Sequence, residues 1–266
     1  MNALDAKTLC DRIDPRSEPV LVWLSEDGQE RIELSGPVAR RWIAKTDNFM
    51  ASEFPFGGSR FAVLLPTHWR SPFWIATPWL RGFELVSPSE GADVDLVVAN
   101  DVDVLEALRE EGGPDALVAQ TQDSMALAWP TALPAEILDG TADILSFGDY
   151  VESPESANQE THLVSEQIDW LPPKVWSDPD QLKLPLRSLR GLGYVGTIVD
   201  MEGRPLGSET DLNGARVHVQ TKNLVLFTAQ LLQLWMAGAS VIWTPGDAVS
   251  TEQVEAERPD FKILGD

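Results

Sequence analysis

A glycine-rich segment is the first candidate for chemistry. Residues 191–196 read Gly-Leu-Gly-Tyr-Val-Gly and match G-x-G-x-x-G, in which backbone N–H groups at the start of a helix bind the pyrophosphate of a dinucleotide. A functional match follows a buried strand and opens a helix. Here the preceding residues are cationic and interrupted by Pro185, and the following residues 197–200 have the character of a strand. We therefore interpret the segment as a glycine-rich turn.

The histidines are the candidates for acid–base or metal chemistry. His68, His162 and His218 are far apart, and none belongs to an H-x₃-H or H-E-x-x-H pattern, so no metal site is expected. His68 and Trp69 follow a predicted strand at the edge where open α/β sheets bind ligands. A lone histidine has no partner acid or base. We favour a structural histidine at a strand–helix turn, and keep His68 and Trp69 as candidate ligand contacts.

An aromatic segment follows these two residues. Phe73, Trp74 and Trp79 lie within ten residues of Trp69, in a chain with ten tryptophans. Such a cluster forms either an exposed docking surface or part of the core. We interpret it as core.

Composition limits the classes of partner. The chain has 266 residues and a net charge of −22, from 20 Lys and Arg against 42 Asp and Glu. This charge repels nucleic acids and anionic lipid surfaces, so we expect neither as a partner, while a protein partner stays open. Cys10 is the only cysteine, which excludes an intrachain disulfide. The amino terminus has no apolar signal segment, so we expect a cytoplasmic protein.

One stretch has the length of a membrane span. Residues 224–244 carry no charge, and about 20 apolar residues are enough to cross a bilayer. Gln230 and Gln233 lie near the middle, and Gly238 divides the stretch. We predict a buried helix followed by a buried strand instead.

The remaining pattern alternates strands and helices. Residues 20–24 and 31–34 predict a hairpin, and Ser35 with Pro37 predicts the start of a helix. Further strands are predicted at 61–65, 84–86, 95–99, 117–119, 197–200, 217–219, 240–243 and 261–264. This alternation is typical of an α/β fold with mainly parallel sheets. We predict one domain over 1–266, with lobe one at about 16–148, a proline-rich connector at about 149–180, and lobe two at about 181–266.

Three segments together resemble the amino-terminal part of adenylate-forming (AMP-binding) enzymes. They are residues 30–34 with the helix of Trp42, residues 60–66 with 80–86, and residues 234–242, which read Leu-Trp-Met-Ala-Gly-Ala-Ser-Val-Ile. Residues 42–46 and 65–69 are also similar to a group of short actinobacterial proteins that resemble this family. The resemblance covers about three-quarters of the chain and consists of structural motifs, so it implies the fold more than the chemistry.

The resemblance also implies where ATP phosphates would bind. The family holds them in a loop rich in Ser, Thr and Gly that ends in G-x-P-K-G. The corresponding residues 203–207 read Gly-Arg-Pro-Leu-Gly, with Leu206 at the lysine position, and Asp200 and Glu202 add negative charge. The remnant of a degenerate loop is therefore Thr197, Gly203, Arg204, Pro205 and Gly207.

The family's other catalytic residues would lie beyond Asp266. We therefore expect no catalytic residue and no cofactor, and a truncated, inactive adenylate-forming-like protein that acts as a binding or regulatory protein. The alternative is a nucleotide- or acyl-group-binding enzyme subunit that a partner chain completes.

Overall fold

Two β-sheets organise the molecule. The computed structural model describes residues 5–54, 60–86, 94–152 and 197–264. The strands are β1 (Pro19–Leu24), β2 (Arg31–Ser35), β3 (Arg60–Leu64), β4 (Glu84–Leu85), β5 (Leu96–Ala99), β6 (Ala116–Ala119), β7 (Ile137–Asp139), β8 (Thr197–Asp200), β9 (Arg216–Gln220), β10 (Ser240–Thr244) and β11 (Phe261–Leu264). The helices are α1 (Ala6–Ile13), α2 (Gly36–Glu53), α3 (Ser71–Leu80), α4 (Val102–Glu110), α5 (Ala142–Leu145), α6 (Leu224–Ala237) and α7 (Thr251–Ala256), with a 3₁₀ turn at Glu209–Leu212.

Sheet A has six strands in the order β2–β1–β10–β9–β11–β8. The central strands β1, β10 and β9 are parallel, and β11 is parallel to β9. The edge strands β2 and β8 are antiparallel to their neighbours β1 and β11, and of these two pairs only β1 and β2 form a hairpin. Sheet A is therefore parallel in its centre and antiparallel at both edges.

Sheet B has five parallel strands in the order β4–β3–β5–β6–β7. Leu96 of β5 pairs with Phe61 on one side and Ala116 on the other. The strands β3, β5, β6 and β7 are fully or mostly apolar, as expected for a parallel sheet covered on both faces. The fold class predicted from the sequence, α/β with mainly parallel sheets, is confirmed.

Helices fill the space between the two sheets. The main hydrophobic core contains Trp243 of sheet A, Trp235 of α6, Phe73 of α3 and Phe61 of sheet B in one continuous cluster. A second, smaller cluster packs the other face of sheet B against Leu105 of α4. Side chains from both sheets and from α3 and α6 therefore share one hydrophobic core.

The helix boundaries follow local chemistry. Helix α3 contains Pro78 and ends at Leu80, two residues later, because proline removes one backbone hydrogen bond and clashes with the preceding turn. Helix α6 is capped by Asn223, whose side chain accepts the N–H of Leu226, and it ends at Gly238 with φ of +88°. A buried ion pair between Arg81 and Asp47, at 2.7 Å, holds α3 against α2.

Most predicted elements are present. The hairpin β1–β2, the strand β11 and the helix–strand pair α6–β10 lie where the sequence predicts them. Residues 224–244 are thus a helix and a strand, and among the described residues no helix is long and apolar enough to cross a membrane. The aromatic segment is core, since Trp69, Phe73, Trp74 and Trp79 are all buried.

Two features were not predicted. No element is predicted for the opening residues, which contain α1, whose Leu9 and Ile13 are completely buried. Strands β1 and β2 also pair into the sheet formed by β8 to β11, a pairing that no sequence pattern indicates. The lobe boundaries stay a prediction, and most of the connector, together with 181–196 and His162, lies outside the described residues.

Candidate functional site

The predicted phosphate-loop remnant is a tight hairpin. Strand β8 turns back at residues 201–204, and the N–H of Asp200 donates to the carbonyl of Arg204 at 2.8 Å. The N–H of Leu206 donates to the carbonyl of Ile198 at 2.9 Å, and Pro205 bridges Val199. Gly203 has φ of +87°, which supplies the left-handed residue of the turn. The backbone donors of this segment are therefore used mainly within the segment.

The Asp200 carboxylate organises the turn. Its Oδ1 accepts the N–H of Glu202 at 3.1 Å and the N–H of Arg204 at 2.8 Å. Its Oδ2 pairs with Arg204 Nε at 2.5 Å, and the same guanidinium reaches Glu202 Oε2 at 2.8 Å. The hydrogen bond to Asp200 raises the pKa of Arg204 above its ordinary value. Carboxylates of the chain itself therefore occupy the positions that an anion would take.

The other remnant residues are separated from this turn. Thr197 is exposed and pairs with Leu264 at the far end of β8, roughly 10 Å along the strand from Asp200. Leu206, at the lysine position, is partly buried against the main core. Gly207 lies near the carboxylate of Asp211. The structure does not bring Thr197, Arg204 and Gly207 around a common point.

The second predicted feature, His68, lies in a buried hydrogen-bonded chain. Its side chain is 3% exposed, and its Nε2 lies 3.2 Å from Ser124 Oγ. Ser124 Oγ donates to Glu30 Oε2 at 2.9 Å, and the N–H of Arg70 donates to His68 Nδ1 at 3.4 Å. These contacts join the loop after β3, the loop after β6 and the turn between β1 and β2. The chain thus connects the carboxyl-terminal edges of both sheets.

The protonation of His68 follows from these partners. Burial lowers the pKa of His68 to about 3, and the neighbouring charge of Arg70 acts in the same direction. Because Nδ1 accepts a hydrogen bond, the neutral imidazole carries its proton on Nε2 and donates it to Ser124. In a hydrolytic triad the histidine instead accepts the serine proton. The hydrogen bond between His68 and Ser124 therefore links two loops and does not have the geometry of an activated nucleophile.

Arg70 is the buried cation next to this link. Its guanidinium donates to the carbonyls of Asp123 at 2.6 Å, Ser124 at 3.3 Å and Ala126 at 2.8 Å. It also lies over the rings of Trp69 and Trp42. Burial lowers the pKa of Arg70 to about 10, while the nearby charges of Asp123 and Asp139 act in the opposite direction. The loop 123–126 is held by a charge that only neutral carbonyls contact directly.

The other sequence candidates are structural or lie elsewhere. His218 Nε2 lies 2.8 Å from Thr244 Oγ1, and burial lowers its pKa to about 4. In the described part of the chain, no three His, Cys, Asp or Glu side chains are grouped to hold a metal ion. Cys10 is buried in α1, and burial raises the pKa of its thiol to about 12. The G-x-G-x-x-G segment at 191–196 lies outside the described residues.

Sequence reasoning named His68 and Trp69 but missed their partners. Arg70, Ser124 and Glu30 come from three different loops, and no spacing in the sequence relates them. A signal in the sequence was Arg70, a charged residue directly before a helix that carries no charged side chain.

The fold is that of the amino-terminal part of acyl-CoA synthetases. An acetoacetyl-CoA synthetase from Streptomyces lividans matches with a TM-score of 0.56 and 14% identity, covering 95% of this chain and 40% of that chain. An acyl-CoA synthetase from Brucella canis matches with a TM-score of 0.55 and 17% identity, covering 92% of this chain and 43% of that one. At these identities the likeness shows the fold alone.

One protein is also similar in sequence. It is the "TIGR03089 family protein" of Mycobacterium tuberculosis strain H37Rv, 28% identical over 149 residues, which are 56% of this chain and 60% of the other. No protein-family model matches the chain. The chain thus spans about two fifths of the length of the two synthetases, and the match covers three fifths of the mycobacterial protein.

Proposed function

We propose that this protein is a catalytically inactive, adenylate-forming-like protein that acts in the cytoplasm as a binding or regulatory protein with a protein partner. The observation that carries the proposal is the Asp200 carboxylate, which accepts the N–H groups of Glu202 and Arg204 in the turn that corresponds to the phosphate loop. An anion needs such N–H groups to be free. A phosphate would have to displace a carboxylate that is covalently part of the same turn.

Electrostatics supports the same proposal. Arg204 is the only cation of the segment 197–207, and it is already paired with both Asp200 and Glu202. With two carboxylates and one guanidinium, the exposed turn carries a net negative charge. The net charge of −22 over the chain adds to the repulsion of a triphosphate. What the fold retains is the layered scaffold and the strand edge with His68 and Trp69, and we place ligand binding there.

The proposal is tested by thermal unfolding with millimolar Mg-ATP and with AMP. We expect no increase in the unfolding temperature with either nucleotide. A nucleotide present at a hundred times its Kd would stabilise the folded state by about 2.7 kcal/mol, which such a measurement detects readily. An adenylate-forming enzyme with an intact loop serves as the positive control.

A matched variant distinguishes two reasons for the absence of nucleotide binding, the missing lysine and the backbone N–H groups that Asp200 occupies. Leu206→Lys restores the lysine, whose aliphatic part can lie along the apolar surface that Leu206 covers. We expect this variant to remain unresponsive to Mg-ATP, because Asp200 still holds the backbone N–H groups. Stabilisation of the wild type by nucleotide, lost in Arg204→Gln, would contradict the proposal. It would favour the alternative, a nucleotide-binding subunit that a partner chain completes.

A further inference from the structure

Strand β2 forms one edge of sheet A, and β1 is its neighbour in the part of the chain that the structure describes. The N–H of Ser25 donates to the carbonyl of Glu30 at 2.9 Å, so these two residues form a hydrogen-bonded pair of the hairpin. Because such pairs alternate along an antiparallel ladder, Ile32 also bonds towards β1, whereas Arg31 and Glu33 direct their backbone groups away from it. Both of these residues are exposed. The edge therefore presents their N–H and C=O groups to an incoming strand.

The side chains at this edge carry opposite charges on one face. Arg31 and Glu33 are two residues apart, so they lie on the same face of the sheet. They form an ion pair, and their side chains are 43% and 45% exposed. Arg31 also bonds to both oxygens of the buried Glu257 carboxylate, which holds its guanidinium in place. A positioned cation thus lies beside an anion along an exposed strand.

This charge pattern is self-complementary in one register. When two copies of β2 run antiparallel with Ile32 opposite Ile32, each Arg31 faces the Glu33 of the other copy. In the two adjacent registers that also match the hydrogen-bonding groups, either Arg31 faces Arg31 or Glu33 faces Glu33. Opposite charges that face each other stabilise a pair of strands, and like charges destabilise it. The edge therefore favours the register centred on Ile32.

We propose that two copies of this chain form a symmetric dimer by pairing their β2 strands antiparallel about Ile32. Arg31 of each copy exchanges backbone hydrogen bonds with Glu33 of the other, and the four charged side chains alternate in sign. The two Ile32 side chains, each packed against its own core, meet on the opposite face. The dimer goes beyond the proposed function and does not depend on it, since no nucleotide takes part in the pairing.

Two properties limit the strength of this dimer. Each chain carries a net charge of −22, so the copies repel each other, although salt at 0.15 M screens charges that are more than about 8 Å apart. A pairing over the five residues of β2 is also a small interface. We therefore expect a weak dimer, with a Kd of roughly 100 µM in 0.15 M salt.

Sedimentation equilibrium of the full chain at increasing concentration measures this dimer. Glu33→Arg places arginines opposite each other in the pairing, and we expect the Kd to rise at least about tenfold. Glu202→Arg is the matched control, because it makes the same change of charge in an exposed Glu–Arg pair next to β8, at the opposite edge of sheet A. The control should dimerise as the wild type does.

Mixing two variants tests the register. Arg31→Glu alone places glutamates opposite each other, so we expect it to associate as weakly as Glu33→Arg. In an equimolar mixture of the two variants every arginine at the edge faces a glutamate, and we expect a heterodimer with a Kd within about threefold of the wild-type value. Circular dichroism shows whether Arg31→Glu, which loses its bonds to Glu257, is folded.

A cross-link gives a second readout that does not depend on the charge variants. In the proposed pairing the two Ile32 residues form a non-hydrogen-bonded pair with Cα atoms about 4.5 Å apart, a distance that a disulfide can span. With oxidised glutathione as the oxidant, we expect Ile32→Cys to give a covalent dimer much faster than Glu33→Cys, which faces Arg31 instead. The native Cys10 is buried and common to both variants.

The contrary results are equally definite. A wild type that stays monomeric up to about 1 mM would show that the charges protect the edge from pairing. Equal association of wild type and Glu33→Arg would place any interface elsewhere. Two folded charge variants that do not associate when mixed, or cross-linking of Glu33→Cys as fast as that of Ile32→Cys, would exclude the register centred on Ile32.

Discussion

The hairpin at 197–207 and the buried group of Trp23, Trp69 and Arg70 beside His68 differ in how their polar groups are satisfied. The hairpin is the segment predicted to be the remnant of a binding loop, yet Asp200 accepts two of its backbone N–H groups and pairs with Arg204, its only cation. The group beside His68 has no recognisable motif, yet Trp23 Nε1, Trp69 Nε1 and Arg70 Nε are buried N–H donors without a partner in the part of the chain that the structure describes. The polar groups of the hairpin turn are exposed and bond to one another, whereas those of the group beside His68 are buried and include N–H groups without an acceptor.

This difference shows which observation points to a ligand. A polar group that already has an internal partner must lose that partner before it binds anything, so its bond adds little net free energy. A buried donor without a partner has already lost its hydration and gains a full bond from a ligand. The residues that resemble a known motif are therefore weaker candidates here than residues that resemble none.

The largest expected effect is the difference in stability between two single variants, Arg70→Met and Arg204→Met. Arg70→Met leaves the carbonyls of 123, 124 and 126 without their donor and removes a cation stacked on Trp69. We expect the free energy of unfolding to fall by about 3 kcal/mol, as measured by urea denaturation. Arg204→Met is the matched control, because it loses only ion pairs at an exposed turn, and we expect little change. Equal losses in the two variants would remove the contrast between the regions.

A smaller effect concerns the pH dependence of stability. The pKa of His68 is lowered to about 3 in the folded protein, against an ordinary value of 6.5. Below pH 6.5 the His68 side chain binds a proton in the unfolded chain but stays neutral in the folded protein. Stability is therefore lost as the pH falls from about 6.5 towards 3. The slope is about 1.4 kcal/mol per pH unit, which amounts to about 2 kcal/mol between pH 6.5 and 5.

The His68→Gln variant isolates this contribution. Glutamine keeps an N–H donor for Ser124 but does not titrate, so its stability should fall less steeply between pH 6.5 and 5. His218, whose pKa burial lowers to about 4, and all the carboxylates are common to both proteins. Urea denaturation at several pH values gives the difference. Parallel curves for wild type and variant would mean that His68 is accessible to protons, contrary to its burial beside Arg70.

Much of the fold could be predicted because its elements are signalled locally. The apolar strands of sheet B, the hairpin of β1 and β2, and the Gly238 end of α6 all follow from runs, turns and caps in the sequence. Sheet membership could not be predicted in this way. The pairing of Leu21 with Val241 joins residues 220 positions apart, and nothing near either residue specifies the other.

The residues of the candidate site were even harder to predict from local sequence patterns than the strand pairing. His68 and Trp69 could be singled out because they follow a strand, where ligands bind in α/β folds. Their partners could not, since Glu30 and Ser124 lie in loops that only tertiary packing brings together. The motif at 203–207 predicted a remnant of a binding loop. The role of Asp200 depends on hydrogen-bond geometry, which could not be inferred from the amino-acid sequence.

The smallest expected effect uses the two glycines of that motif. If the segment were a phosphate cradle, Gly203 and Gly207 would both be needed for close approach of the ligand. As a turn, it needs only Gly203, whose φ of +87° is unfavourable for alanine although no atom lies within 4 Å of the added methyl group. We expect Gly203→Ala to lower the free energy of unfolding by about 1 kcal/mol. In Gly207→Ala the methyl group would lie 3.4 Å from Asp211, an ordinary contact, so we expect almost no change. Urea denaturation of the two variants side by side measures this difference, and equal losses would show that the segment is more than a turn.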